Sequence, residues 1–283
     1  MNTAKKPLDI TRKSLAGKPL TTLQRGLRML ETIAQDRGQM TAKKLAQLLD
    51  IRLGTCYHLL RTLQEEGYIV RLRGGRYELN GRVAYLQDSL RAQLTPDLRI
   101  LLILRRLHER VNVTTCVCGW HSDQIVLRWY LEPVRALHAR SLQIGYQDHP
   151  HARASTRAIL AYLPEERVRA YFAERILLML TQRTLTDIDE LLHNLEQIAR
   201  DGYCVDHEEL AKGMCCIGAP YFDERGFPVG AYGISLPANE FEDASDTLIS
   251  EVVSAAKETS RSLGYEGNYP PISALTAPAH RGA

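Results

Sequence analysis

The chain has no apolar run approaching the ~18 residues that span a bilayer. Its longest runs, Ile100–Leu104 and Ile176–Leu180, are of core size, so a membrane-spanning helix is excluded. The first twenty residues are basic and polar, with no apolar stretch of the kind an export signal needs. No G-x-S-x-G elbow, P-loop, dinucleotide fingerprint or paired C-x₂-C spacing occurs, which removes the readings those motifs support: hydrolase, nucleotide-binding protein or zinc protein. Internal repeats are absent too. Cysteine is sparse: the six residues at 56, 116, 118, 204, 215 and 216, without an export signal, read as reduced, small apolar side chains of a cytoplasmic protein. Net charge is only +3 and by itself selects no partner.

What is there is unevenly distributed. Residues 1–85 hold 16 Lys and Arg against 7 Asp and Glu, a net of +9, and the remaining 198 residues are at −6. Such segregation suggests a polyanion partner for the first segment alone, because phosphates neutralised by basic side chains release counterions. At 283 residues the chain is also long enough to bury two cores.

The basic segment contains TAKKLAQLLDIRLGTCYHLLRTLQEEGYIVRLRGGRYEL at 41–79. Thr41 is placed to cap a short helix with a stripe of Leu45, Leu48 and Leu49. In a second helix Cys56, Leu59, Leu60 and Leu63 fall at i, i+3, i+4 and i+7 and so point into one core. The opposite face carries Gly54, Tyr57, His58, Arg61 and Glu65, flanked by Thr55. Tyr68, Val70 and Leu72 then alternate with Ile69, Arg71 and Arg73. Gly74-Gly75 supplies a two-residue hairpin turn, and Tyr77 and Leu79 return on the apolar face. Helix, turn, helix and basic hairpin predict a winged helix-turn-helix that binds double-stranded DNA. Thr55, Tyr57, His58 and Arg61 are placed to read bases; Arg71, Arg73 and Arg76 on the wing suit phosphate or a minor groove.

The periodicity lays out the rest. An opening helix shows Leu23, Leu27, Leu30 and Ala34 on one face, and Arg82–Leu94 reads as a connecting helix. Thr95-Pro96-Asp97 restarts the chain with a cap, a proline at the first helical position and an early acid. Strands are expected at 113–118 and 124–131 across a turn at Gly119–Asp123, and later at Tyr203–Val205, Cys215–Phe222 and Pro228–Leu236. Helices are expected at 154–163, 164–173, from a Thr186 capping box to Gly202, and at 243–263. Hairpin-linked strands with helices on one side predict an α+β domain with an antiparallel, ligand-sensing, GAF-like sheet. The divisions read from the sequence are a disordered basic tail (1–20), the winged helix-turn-helix (21–81), a linker helix (82–95), an effector-binding domain (96–264) and a disordered tail (265–283).

Other chemistry is weaker. Cys215-Cys216 with Asp206 and His207 suggests a thiol nucleophile or redox switch, but adjacent strand residues face opposite ways. Cys116 and Cys118 share a face and, with His149 and His151, offer a conceivable metal site. Trp120, Trp129 and Tyr130 suit either an aromatic ligand or the core. No catalytic residue, metal or cofactor is assigned, leaving an enzyme or thiol redox sensor as the alternative function.

Over residues 20–264 the chain resembles the IclR family of bacterial transcriptional regulators. TTLQRGLRMLETIA is similar to the family's first helix and TCYHLLRTLQEEGYIVR to its recognition helix and first wing strand. The most extensive likeness is 183–237, with a threonine-capped helix, Gly-Tyr, an acidic stretch, Gly-x-x-Cys, an Ala-Pro strand and a closing Ser-x-Pro. The resemblance implies a homodimer or a tetramer, a dimerising linker helix, a pseudo-palindromic operator and a small-molecule effector, with repression or activation as the outcome. It implies an effector pocket at Ala154, Ser155, Asp206, Cys216, Gly233 and Ser235. We expect a small carboxylic or aromatic acid held between Ser155 and Ser235, with Arg157 either a further donor or a solvated surface arginine. The chain departs from the family pattern at Leu53-Gly54, where Lys-Ser is usual, at Ala154, where Gly is usual, and at Thr156-Arg157, where Gly-Lys is usual.

Overall fold

The computed structural model describes residues 20–36, 38–133, 142–242 and 244–275. The chain forms two compact units that divide between Gln93 and Leu94.

The first unit runs α1 (Thr21–Gln35), β1 (Met40–Thr41), α2 (Ala42–Leu48), α3 (Leu53–Glu65), β2 (Ile69–Arg71), β3 (Arg76–Leu79) and α4 (Gly81–Leu94). Thr41 caps α2 by accepting from the Lys44 backbone N–H. The core joins Met29, Ile33, Met40, Leu45, Cys56, Leu59, Leu60, Ile69 and Tyr77. It departs from the sequence reading in three places. α1 buries Gly26, Met29 and Ile33, leaving Leu23 and Leu27 exposed, because the helix is apolar on two adjacent faces and this core takes only one. Leu48 is exposed, and Ala42 and Ala46 flank Leu45 in its place. The hairpin loop is three residues, Arg73–Gly75, since the Leu72 N–H still donates to the Arg76 carbonyl. Both Gly74 and Gly75 take positive φ, as the turn chemistry requires. The strand phase is also one residue off: Ile69, paired opposite Leu79, points inward and Val70 outward. β1 completes a three-stranded sheet of order β1-β3-β2 that sequence reading did not resolve.

The second unit continues with α5 (Leu98–Val111), β4 (Thr114–His121), β5 (Gln124–Leu131), α6 (Ala154–Leu160), α7 (Glu165–Phe172), α8 (Ile188–Asp201), β6 (Cys204–His207), β7 (Met214–Phe222), β8 (Pro228–Pro237), α9 (Ala238–Phe241) and α10 (Ser245–Ser262). The five strands are antiparallel in the order β5-β4-β8-β7-β6. Helices cover both faces of the sheet, not one. α5 and α10 pack on Val117, Ile217, Tyr221, Tyr232 and Ile234, while α6, α7 and α8 pack on Cys118, Ile125, Cys216 and Ala231. The strict alternation along β7 and β8 feeds both layers.

Local differences have local causes. Asp97, not Thr95, caps α5, its carboxylate accepting from the Arg99 N–H. Asp187, not Thr186, caps α8, accepting from the Asp189 and Glu190 N–H groups. β4 runs on to His121, so its turn is only Ser122-Asp123, both at positive φ. Residues 265–275 are placed against the core, contrary to the expected disorder. The Tyr269 hydroxyl donates to the Pro220 carbonyl, and buried Ser273 donates to that of Ala161. The tails 1–19 and 276–283 lie outside the described residues.

Candidate DNA surface and effector site

In the first unit α3 turns its apolar stripe inward and leaves Tyr57, His58 and Arg61 exposed, with Thr55 half-buried at its start. Arg61 Nε lies 2.8 Å from Glu65 Oε1 one turn on. That pair is open to water, so it holds the guanidinium in place at little cost and yields to a stronger acceptor. Arg71 and Arg73 are exposed on the wing, and Arg76, half-buried, donates to Gln39 Oε1 at 3.3 Å. All seven side chains expected to touch DNA thus stand on one small unit, unburdened by core packing.

The second unit's site lies on the sheet face beneath α6. Cross-strand register sets Asp206, Cys216 and Ser235 in one row and Cys204, Gly218, Gly233 and Cys116 in the next. A Cβ on Gly218 would come within 2.6 Å of the backbone of Ala154 and Ser155. Only glycine lets the start of α6 press onto the sheet there. A Cβ on Gly233 would meet Cys116 Sγ at 2.7 Å, so that glycine makes room for the thiol. Ala154, Ser155, Cys216, Gly233 and Ser235 are thereby gathered on one face.

Their polar atoms have partners the sequence did not disclose. The Ser155 hydroxyl donates to Cys118 Sγ at 3.1 Å, and Cys216 Sγ and Ser235 Oγ lie 3.2 Å apart. Arg153, only 6% exposed, donates from Nη2 to the same Cys118 sulfur at 3.1 Å and from Nη1 to the Tyr146 carbonyl, with its guanidinium 5.3 Å from that tyrosine's ring centre. No carboxylate pairs with it among the described residues. Contact with the Cys116 thiol, the charge of Arg153 and the Ser155 hydroxyl together draw the Cys118 thiol below its usual value. The same contact and burial hold the Cys116 thiol well above its usual value.

Behind the face lies a second buried charge group. Arg157 is fully buried, not solvated: it donates to Asn194 Oδ1 at 3.0 Å and to Glu209 Oε1 at 2.8 Å. Asp206 Oδ1 accepts from the Glu209 N–H at 2.6 Å, and burial raises the carboxyl to about 6. Asp206 Oδ2, Glu209 Oε2, Thr156 Oγ1 and Arg157 Nε have no hydrogen-bond partner among the described residues.

The remaining sequence candidates disperse. Cys215 faces the α5/α10 core and Cys216 the α6 side, with His207 exposed. His151 Nε2 meets the Leu178 carbonyl, and among the described residues no three His, Cys, Asp or Glu gather to hold a metal. Trp120, which donates to the Pro228 carbonyl, and Tyr130 both pack on the α6 side of the sheet, while Trp129 packs on the opposite core. Sequence reading missed Arg153 and Glu209, and took Cys118 only as part of a conceivable metal site. The available signal was the arginine pair four apart in ARASTRAIL, where every other side chain is small or apolar apart from two hydroxyls.

Comparison with known proteins places both units. Residues 22–73 match the IclR helix-turn-helix domain, and residues 97–262 match the domain described as bacterial transcriptional regulator IclR C-terminal. The chain is 31% identical over 249 residues to the transcriptional repressor IclR of Escherichia coli K12, covering 86% of this chain and 90% of that one. It is similar to the crystal structure of Thermotoga maritima IclR at a TM-score of 0.72 and 25% identity, over 87% of this chain and 99% of that one. An IclR homologue from Microbacterium hydrocarbonoxydans, complexed with 4-hydroxybenzoate, shares the fold at a TM-score of 0.65 and 20% identity, over 86% and 98% of the two chains.

Proposed function

We propose that this chain, which belongs to the IclR family of bacterial transcriptional regulators, is a cytoplasmic homodimer that reads a pseudo-palindromic operator and answers to a small carboxylate without turning it over. Dimerisation is supported by unpartnered apolar surface in the first unit. α4 leaves Tyr85, Leu86 and Leu90 exposed, and α1 does the same with Leu23 and Leu27. Two such faces rarely stay wet on a free protein. A dimer then offers two α3 helices to two half-sites, with Thr55, Tyr57, His58 and Arg61 toward bases and Arg71, Arg73 and Arg76 toward phosphate.

The observation that carries the effector class is Arg153. Among the described residues this buried guanidinium has a carbonyl and the Cys118 sulfur for partners and no carboxylate, so an anionic ligand can supply the full charge partner that a desolvated cation favours. The anchor is therefore Arg153, not the Ser155–Ser235 pair, whose hydroxyls are engaged with thiols. Ala154, Gly233, Cys216 and Ser235 form the wall, and Asp206, held largely protonated below about pH 6, is suited to meet a hydroxyl of the ligand. The effector shifts DNA affinity by binding one arrangement of the dimer better than another.

The test is thermal melting with 4-hydroxybenzoate, benzoate and short aliphatic carboxylates, each against its neutral amide. At a hundred times its dissociation constant a true effector stabilises the folded chain by about 2.7 kcal/mol. Arg153→Gln should abolish the carboxylate's advantage over the amide, and Arg153→Lys should keep part of it. A full shift in Arg153→Gln refutes the anchor. Recovery of an altered ligand refutes the non-enzymatic reading.

A further inference from the structure

The outward face of α3 is bare backbone near its N-terminal end. At helical spacing the buried stripe of Cys56, Leu59 and Leu60 points one way, and Gly54 points almost directly away from it. Gly54 is exposed, and a Cβ built on it meets no atom within 4 Å. Its φ is not positive either, so neither packing nor backbone conformation asks for glycine there. Gly218 is the contrast, since the fold itself closes on it. Glycine nonetheless weakens a helix relative to alanine. A residue that costs its helix and makes room for nothing inside the protein makes room for something outside it.

The flank of this gap is apolar. Leu53 and Tyr57 stand four apart, hence side by side along the helix, and are 45% and 50% exposed. Neither belongs to the core that α3 helps to form. Helix-turn-helix proteins turn the N-terminal residues of this helix toward base edges in the major groove. Hydrogen-bonding groups line that groove at every base pair, and the thymine 5-methyl is the apolar group among them. A notch with a backbone floor and two apolar walls gives a methyl contact and leaves no buried polar group unpaired.

We propose that Leu53, Gly54 and Tyr57 form a seat for a thymine methyl group, so that each half-site of the operator carries a thymine whose methyl, more than its pairing, is read. The inference rests on the DNA-reading role proposed for α3 and adds a base identity to it. Gly54 sets how closely the helix approaches the base edge, and Leu53 and Tyr57 exclude water around the methyl. His58 and Arg61, one and two turns on, remain for hydrogen bonds to the neighbouring bases.

The full-length chain is used to select an operator from random DNA, and each thymine of that operator is then replaced in turn by uracil, which pairs alike and lacks only the methyl. Affinities are compared at one salt concentration by fluorescence anisotropy. One position per half-site should stand out, with a loss of about fourfold, the worth of one buried methyl-sized group. In Leu53→Ser the difference between thymine and uracil at that position should vanish. Gly54→Ala should bind the thymine operator about tenfold more weakly, because the added methyl occupies the seat. Its melting temperature should be no lower than that of the wild type, and its salt dependence should be unchanged. A melting temperature that falls together with affinity would make Gly54 a residue of the fold and overturn the seat. So would a uracil series that is flat throughout, or a Gly54→Ala chain that binds with undiminished affinity. Either of these leaves the DNA-reading role of α3 standing, whereas a chain that enriches no sequence overturns that role and the seat with it.

Discussion

The two units handle charge in opposite ways. On the winged helix-turn-helix, Arg61, Arg71 and Arg73 stand in water, and the one ion pair among them, Arg61–Glu65, is exposed at both ends. In the C-terminal domain Arg153, Arg157 and Asp206 are withdrawn from water; the two arginines take partners from distant parts of the chain, and Asp206 accepts from the nearby Glu209 N–H. Exposed charges cost the fold nearly nothing and leave binding energy to the partner that later desolvates them. Buried charges are part of the fold, so a change at one of them alters stability and ligand response together. Opposite outcomes are therefore expected from superficially similar substitutions in the two units.

The largest effect should come from Arg157→Met. It leaves Glu209 as a buried carboxylate without its cation and should destabilise the chain by about 3–5 kcal/mol in chemical denaturation. A loss below about 1 kcal/mol, the scale of an exposed pair, would erase the contrast between the units.

Next is the pH response of Asp206. Its carboxyl is raised from 3.8 to about 6 by burial, so between those values the folded chain holds a proton the unfolded chain has released. The sign follows: this group's contribution is whole below about pH 4 and is lost as pH rises through about 6, by roughly 3 kcal/mol. Asp206→Asn keeps an acceptor for the Glu209 N–H and should lack that slope, and should be the more stable protein at pH 7. Parallel stability–pH curves for the two proteins would show that Asp206 is solvated like an ordinary carboxylate.

The smallest effects belong to the DNA surface. On an operator selected from random DNA, Arg61→Ala should cost about 1–3 kcal/mol and relax preference at one base pair, without moving the melting temperature. Arg73→Ala should weaken all sequences alike and lower the slope of log affinity against log salt by about one. A melting change in either variant comparable to that of Arg157→Met would mean these arginines also hold the fold.

Legibility followed the same divide. The recognition helix could be read outright, because Cys56, Leu59 and Leu60 repeat at helical spacing and the residues between them must face out. Gly202 ending α8 and the glycines of the wing were legible because positive φ is a local demand. The pocket wall was reached through the family resemblance, and the cross-strand pairs Cys216–Ser235 and Asp206–Cys216 bring those positions together. What the pocket residues bond to was not legible. Ser155 and Ser235 read as free donors until the thiols opposite them were in place, and Arg153 drew no notice between small residues.

Periodicity, turn chemistry and charge segregation are properties of neighbours along the chain, so the sequence alone settled the order of the longer helices and strands, the outward face of α3 and the contrast between a basic head and an acidic body. Only the tertiary structure decided which of two apolar faces α1 buries, that helices cover both sides of the sheet, and that Arg157 is a core residue bound to Glu209 while Arg153 meets a thiol. The reason is physical. A side chain's burial and the partner that makes burial tolerable are set by elements far away in the chain, here β4, α8 and the stretch after β6, and no local pattern records which of them will arrive.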